Sequence, residues 1–182
     1  MSAFFEIAGL NIYVQIIVTI ISIAAHLLGS RIKEQKESLL EIIAIYTIGL
    51  SGWFTIMSGL FGHMIYANEV ASGIGWPINS GFQMELGFAS LGIGIVGFLG
   101  FWNRAYWLPF IIMKFIFGWG AGYTHILHMF QHNNFSPSNT GIIVYWDFLF
   151  PIIMIVLYLL YLRQRKPLQT HLERKNEMEA SN

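Results

Sequence analysis

Five stretches of mostly apolar residues run through this sequence, at 9–29, 39–64, 82–102, 106–130 and 141–162. Each approaches or exceeds the roughly 20 residues a helix needs to cross the hydrocarbon of a bilayer. The chain has 182 residues, which leaves room for one membrane domain and no sizeable soluble one. Composition agrees: 55% of residues are hydrophobic and 11% charged, where soluble domains carry about a quarter charged. The expected fold class is therefore all-α, a polytopic membrane helical bundle of about five transmembrane helices. It would fill residues 1–166, with 167–182 as a polar, mobile cytoplasmic tail. The third stretch is the weakest by hydropathy because it is crowded with glycine. The last is the clearest, ending abruptly at Arg163-Gln164-Arg165-Lys166. The first has neither a basic lead-in nor a small-residue cleavage pattern, so it reads as a retained helix.

Lys and Arg set the expected orientation. Arg31, Lys33 and Lys36 follow the first span, Arg104 follows the third, and Arg163, Arg165, Lys166, Arg174 and Lys175 follow the fifth. The N-terminus and the segments 65–81 and 131–140 carry none. Five spans put every basic segment on one side, which the positive-inside rule assigns to the cytoplasm. The N-terminus is then outside and the C-terminus inside. A net charge of zero argues against nucleic acid. The absence of cysteine excludes disulfides, thiolate metal sites and iron–sulfur clusters.

Small residues let membrane helices approach closely. In the third span Gly87, Ser90, Gly94 and Gly97 share one face, while Ala89 and Gly92 lie with Glu85 on another. Small residues on two faces predict a helix surrounded by protein. Gly52, Gly59 and His63 share a side of the second span, and Gly118 and Gly122 form a small-x-x-x-small pair in the fourth.

Polar and ionisable groups inside spans are costly and normally face the bundle interior. Asn11, Gln15, Thr19, Ser22 and His26 form one stripe along the first span, either a hydrated path or hydrogen-bonding glue between helices. In the fourth span His125 and His128 can converge on one point. A His-x-x-His pair can bind a transition metal, with Glu85 as a further ligand, and two imidazoles alone are a weak signal. Counting from the helix ends, His63, Glu85, His125, His128 and Asp147 all fall in the outer leaflet. That common depth is the candidate ligand site, with Gln83 beside it. Each acid also has a plain reading, Glu85 as a structural ion pair and Asp147 as a water-facing acid at a helix start. Lys114 lies near mid-membrane, where it snorkels inward or takes a partner such as Glu41.

Trp76-Pro77-x4-Phe82-Gln83-x-Glu85-x-Gly87-x-Ala89-x2-Gly92 resembles the signature of an uncharacterised family of small prokaryotic membrane proteins. So does the later run: Arg104, Gly122-x2-His125-x3-Met129, His132-Asn133-x-Phe135-x-Pro137-x-Asn139-x-Gly141, then Asp147 and Pro151. The resemblance covers helices two to five. It implies a multi-pass protein of a prokaryotic inner membrane in which Phe82, Gln83, Glu85, His125 and Asp147 are singled out. More distantly, the Glu-then-Gly helix followed by a basic turn is similar to the DoxX-like membrane proteins, four-helix proteins linked to redox enzymes or thiol stress. This chain departs from them in lacking cysteine and in having one more span.

Three functions fit these residues. The first is a module whose outer pocket binds a proton, metal ion or small polar solute and passes it along the Asn11–His26 stripe and Lys114. The second is a non-catalytic accessory or scaffold subunit, docking a second copy or a membrane partner. The third is a haem- or quinone-linked redox subunit, His63 with His125 or His128 supplying axial ligands. No Ser/His/Asp order and no phosphate loop is present, so catalysis is not expected. The sequence names no cofactor; the partner it does imply is the lipid bilayer.

Overall fold

The computed structural model describes residues 9–30 and 37–180, with side chains placed at 9–29 and 37–165. The basic loop Arg31, Lys33 and Lys36, and the side chains of Lys166, Arg174 and Lys175, lie outside what is described. Helix α1 spans Leu10–Ser30; α2 spans Leu39–Met57 and continues as a π-helical segment, Ser58–Ile65. A short α3, Ala67–Ile74, leads to α4, Ser80–Leu99. A 3₁₀ turn at Arg104–Tyr106 opens α5, Trp107–His132, then come a single turn α6, Pro137–Thr140, and α7, Ile142–Ala180. Among the described residues there is no strand, and five helices are long and apolar enough to cross a membrane. In hydrocarbon every backbone N–H and C=O must be bonded within the chain, and a helix does this locally.

Side-chain caps mark the starts. Ser38 Oγ accepts from the Glu41 amide at 3.2 Å, and Asn79 Oδ1 accepts from the Phe82 amide at 3.1 Å. Helix α7 does not stop at Leu162 as expected. Its backbone runs to Ala180 through Pro167, a residue with no backbone N–H to donate. The residues beyond it are mostly strong helix formers: Gln, Leu, Glu, Arg, Lys, Met and Ala.

The closest helix pair is α2 with α4, and glycine makes it possible. A Cβ added at Gly59 would lie 2.8 Å from the Gly87 carbonyl oxygen, and one at Gly94 would lie 2.7 Å from the Ile56 amide nitrogen. Backbones in this contact leave no room for any side chain. The face Gly87, Ser90, Gly94, Gly97 is buried, as its spacing predicts. The opposite face is not surrounded by protein: Glu85, Ala89 and Gly92 are exposed, and nothing lies within 4 Å of a Cβ at Gly92. Small residues on two faces thus mark one helix contact and one open surface.

The apolar core lies between α2, α5 and α7. Ala44, Ile45 and Ile48 meet Trp107, Phe110, Ile111, Phe150, Met154 and Tyr161. It sits toward the Arg104 end of the bundle. The opposite, loop end is built from α3, α6 and the segments that flank them. Helices α2 and α5 run from the Arg104 end to the loop end; α1, α4 and α7 run back.

Candidate functional site

The loop end is organised by one tryptophan. Gly75 closes α3 in the left-handed region, with φ 78°, a conformation that glycine adopts without a Cβ penalty. The turn delivers Trp76 against α5, its ring centroid 5.0 Å from His125 and 5.3 Å from His128. The indole N–H donates to Asn139 Oδ1 at 2.9 Å. Asn139 is fully buried, and its Nδ2 donates to the carbonyls of His125 and Asn134. All of its polar capacity toward the protein is used.

These bonds determine where the imidazole protons are. An indole N–H can only donate, so the Asn139 atom it meets is the oxygen. His125 Nδ1 lies 2.9 Å from that same oxygen and must therefore carry a hydrogen. The lone pair of neutral His125 is then on Nε2. The neighbouring Asn134 works in the opposite sense. Its Oδ1 accepts from the Ser136 amide at 3.1 Å, so its Nδ2 faces His128 Nδ1 at 3.1 Å as a donor. His128 Nδ1 is then an acceptor, and its hydrogen is on Nε2. Two imidazoles on one tryptophan are held in opposite tautomers, one presenting an acceptor and the other a donor. His128 also stacks on exposed His132, with centroids 4.2 Å apart.

His63 belongs to a different group. Its Nδ1 lies 2.7 Å from Gln83 Oε1, across the α2–α4 contact. The π-helical turn over Ser58–Ile65 carries an extra residue per turn, and it brings His63 to Gln83 while Met64 seats against Gly87. Glu85 stands nearly opposite Gln83 on α4, exposed, with no hydrogen bond or ion pair to any described residue.

Asp147 sits deeper than its distance from the helix start suggests. Its carbonyl oxygen would lie 2.8 Å from a Cβ at Gly118, so these two residues share a level. His125 is two turns further toward the loop end, about 10 Å along the axis. Phe148 lies between the levels, its ring against Gly122. The partner nearest Asp147 in charge is Lys114, which interacts with it electrostatically. Glu41 is not the partner of Lys114. It pairs with Arg104 at 3.1 Å, and Arg104 also donates to the Phe101 carbonyl.

The single outer cluster expected from depth is therefore divided among four places: His63 with Gln83, His125 with His128, Asp147 with Lys114, and Glu85 facing outward. Among the described residues no group of three or more His, Asp or Glu side chains could hold a metal ion. The α1 stripe faces partly inward. Gln15 is buried, Thr19, Ser22 and His26 are half-buried, and Asn11 is exposed. His26 Nδ1 meets the Tyr46 hydroxyl at 3.1 Å.

Trp76, Asn134 and Asn139 hold the loop end together; in the sequence Trp76 and Asn139 stand out only as parts of the family pattern, and Asn134 does not stand out. Three asparagines close behind the last α5 histidine, Asn133, Asn134 and Asn139, were the available signal. No curated protein and no solved structure matches the chain. The model of DUF6790, a family of unknown function, matches residues 11–167, and the chain belongs to that family.

Proposed function

We propose that this is a multi-pass membrane protein whose loop end faces outward and whose His125–His128 pair takes up a proton, or a small neutral solute that hydrogen-bonds like water. The observation that carries this reading is the opposed tautomer pair on Trp76. His125 Nε2 is a free base held in place by a buried amide, and His128 Nε2–H is a donor one turn away. A proton arriving at His125 makes an imidazolium whose charge lies near the indole ring, a favourable cation–π arrangement. The outward orientation is supported by Arg104, Arg163 and Arg165 at the opposite end. In proteoliposomes carrying an internal pH dye and a potassium-diffusion potential, the protein should collapse a pH gradient faster than empty vesicles. His125→Ala should return the rate to background. Wild-type vesicles no faster than empty ones would defeat the proton form of the reading.

A second reading, an accessory subunit, is favoured by α4. Glu85 is an ionisable residue on an open face with Phe82, Phe88, Ala89 and Gly92, where a charge toward lipid is expensive. A partner helix covering that face would relieve the cost. Cysteines introduced at Phe88 and Gly92 and tested for cross-linking in native membranes would show whether the face is covered.

A further inference from the structure

Helices α5 and α7 touch backbone to backbone at one level and are held apart at another. A Cβ at Gly118 would lie 2.8 Å from the Asp147 carbonyl oxygen, so no side chain separates them there. Toward the Arg104 end, Trp107 and Tyr161 stand between the helices, their ring centroids 4.8 Å apart. Two rings need more room than a glycine contact, and a groove of about 430 Å³ is left along the seam. Ile111, a core residue, lies at its base. Leu108, Ile112 and Ile116 form its α5 wall, and Ile155 and Leu159 its α7 wall. Each wall repeats every fourth residue, one row along a helix face. No polar atom of the protein faces the groove.

The two ends of the groove differ. At the deep end Phe115 stacks on Trp119, and Trp119 crosses the seam, its indole N–H donating to the Phe148 carbonyl at 3.3 Å. At the Arg104 end the row Ile155, Leu159 continues one turn further to Arg163. Arg163 is exposed and has no hydrogen bond or ion pair to any described residue. Arg165, also exposed, is steadied beside it by the Tyr161 hydroxyl, to which it donates at 2.8 Å. Arg104, by contrast, already has its counter-ion in Glu41. From Leu108 to Ile116 is about 12 Å along the helix, close to the hydrocarbon depth of a single leaflet, about 15 Å.

We infer that this groove holds one acyl chain of an anionic phospholipid, with the lipid phosphate bound by Arg163 and Arg165 at its rim. Carbon-only walls suit a hydrocarbon chain and offer a polar solute no hydrogen bond. A guanidinium without a counter-ion suits a phosphate, to which it can donate two parallel bonds. Chain and headgroup are thus met by one continuous surface, apolar for one leaflet and cationic at its edge. The site lies at the opposite end from the His125–His128 pair and does not depend on that pair's role.

The test is native mass spectrometry of the full-length protein, delipidated in detergent and titrated with dioleoyl phosphatidylglycerol or dioleoyl phosphatidylcholine. The first phosphatidylglycerol should bind at least about fivefold more tightly than phosphatidylcholine, the effect of one basic side chain on an anionic headgroup. Arg163→Gln together with Arg165→Gln should remove that preference and leave both lipids binding alike. Ile112→Trp places a ring in the groove and should lose the first adduct of either lipid. Ile153→Trp, on an exposed face of α7 outside the groove, should keep it. If Ile112→Trp does not fold, Ile116→Trp at the more exposed rim carries the test. Equal binding of the two lipids by wild type would overturn the inference, as would a preference that survives loss of both arginines. So would a first adduct that persists in Ile112→Trp and Ile116→Trp. A wild-type dimer that takes up no lipid would give the groove to a second copy instead.

Discussion

At the Arg104 end a tryptophan is held by charge and by apolar packing; at the loop end another is held by neutral amides and imidazoles. Trp107 is fully buried, donates to the Gly100 carbonyl at 2.8 Å, packs with tilted ring planes against Tyr161 at 4.8 Å and lies beneath Arg104 at 5.4 Å. Trp76 is only half-buried, and its neighbours are His125, His128 and Asn139. The first knot can lose one polar bond and keep its core. The second has little apolar core of its own, so its hydrogen bonds are its structure. Groups held by directional bonds can also change protonation state without disturbing a packed interior. On the reading proposed above, that difference would put the titratable chemistry at the loop end and the anchoring at the other.

The comparison breaks most readily at Asn139. Asn139→Leu removes the acceptor of Trp76 and His125 together with the donor to two carbonyls. Leaving buried partners unpaired should cost about 3 kcal/mol or more, read as a lowered melting temperature. The same substitution should free His125 to take either tautomer, which nitrogen-15 shifts of its ring would show. At the Arg104 end, Trp107→Phe keeps most of the ring and loses one bond to Gly100. It should cost about 1–2 kcal/mol by the same measurement. If Trp107→Phe proved the more damaging of the two, the loop end would not be held by its hydrogen bonds in the way described.

Much of the fold was legible in the sequence because span length and hydropathy are one-dimensional properties. The five spans and the buried stripe Gly87, Ser90, Gly94, Gly97 follow from counting residues and turns. The open face of α4 was not legible, since small residues such as Ala89 and Gly92 suit a helix contact and an open surface equally. Depth failed for Asp147 for a geometric reason. Counting from each helix start assumes that all helices begin in one plane. Here α5 runs to His132 and α7 begins only after α6, so Asp147 falls level with Gly118 and not with His125. The π-helical turn that brings His63 to Gln83 leaves no pattern in the residues 58–65 themselves. The roles of Trp76 and Asn139 depend on contacts 63 residues apart, which no local signal encodes. Candidate residues were therefore legible, and their grouping was not.

The smallest expected effect sharpens the comparison from the charged side. Glu41 and Arg104 are about a quarter exposed, at 23% and 25% of the side chain, so water still screens their attraction. A pair in such surroundings is worth only about 0.5–1 kcal/mol. Glu41→Gln should lower stability by roughly that amount, and most of the loss should vanish when wild type and variant are compared at high salt, where wild type loses the same attraction. Arg104 would keep its bond to the Phe101 carbonyl and its place over Trp107, so the apolar knot should survive. The neutral bonds of the loop end have no such charge to screen, and the penalty of Asn139→Leu should be nearly the same at low and high salt. A loop-end penalty that faded with salt would mean that His125 or His128 carries a proton in the resting protein. The acceptor assigned to His125 Nε2 would then already be filled.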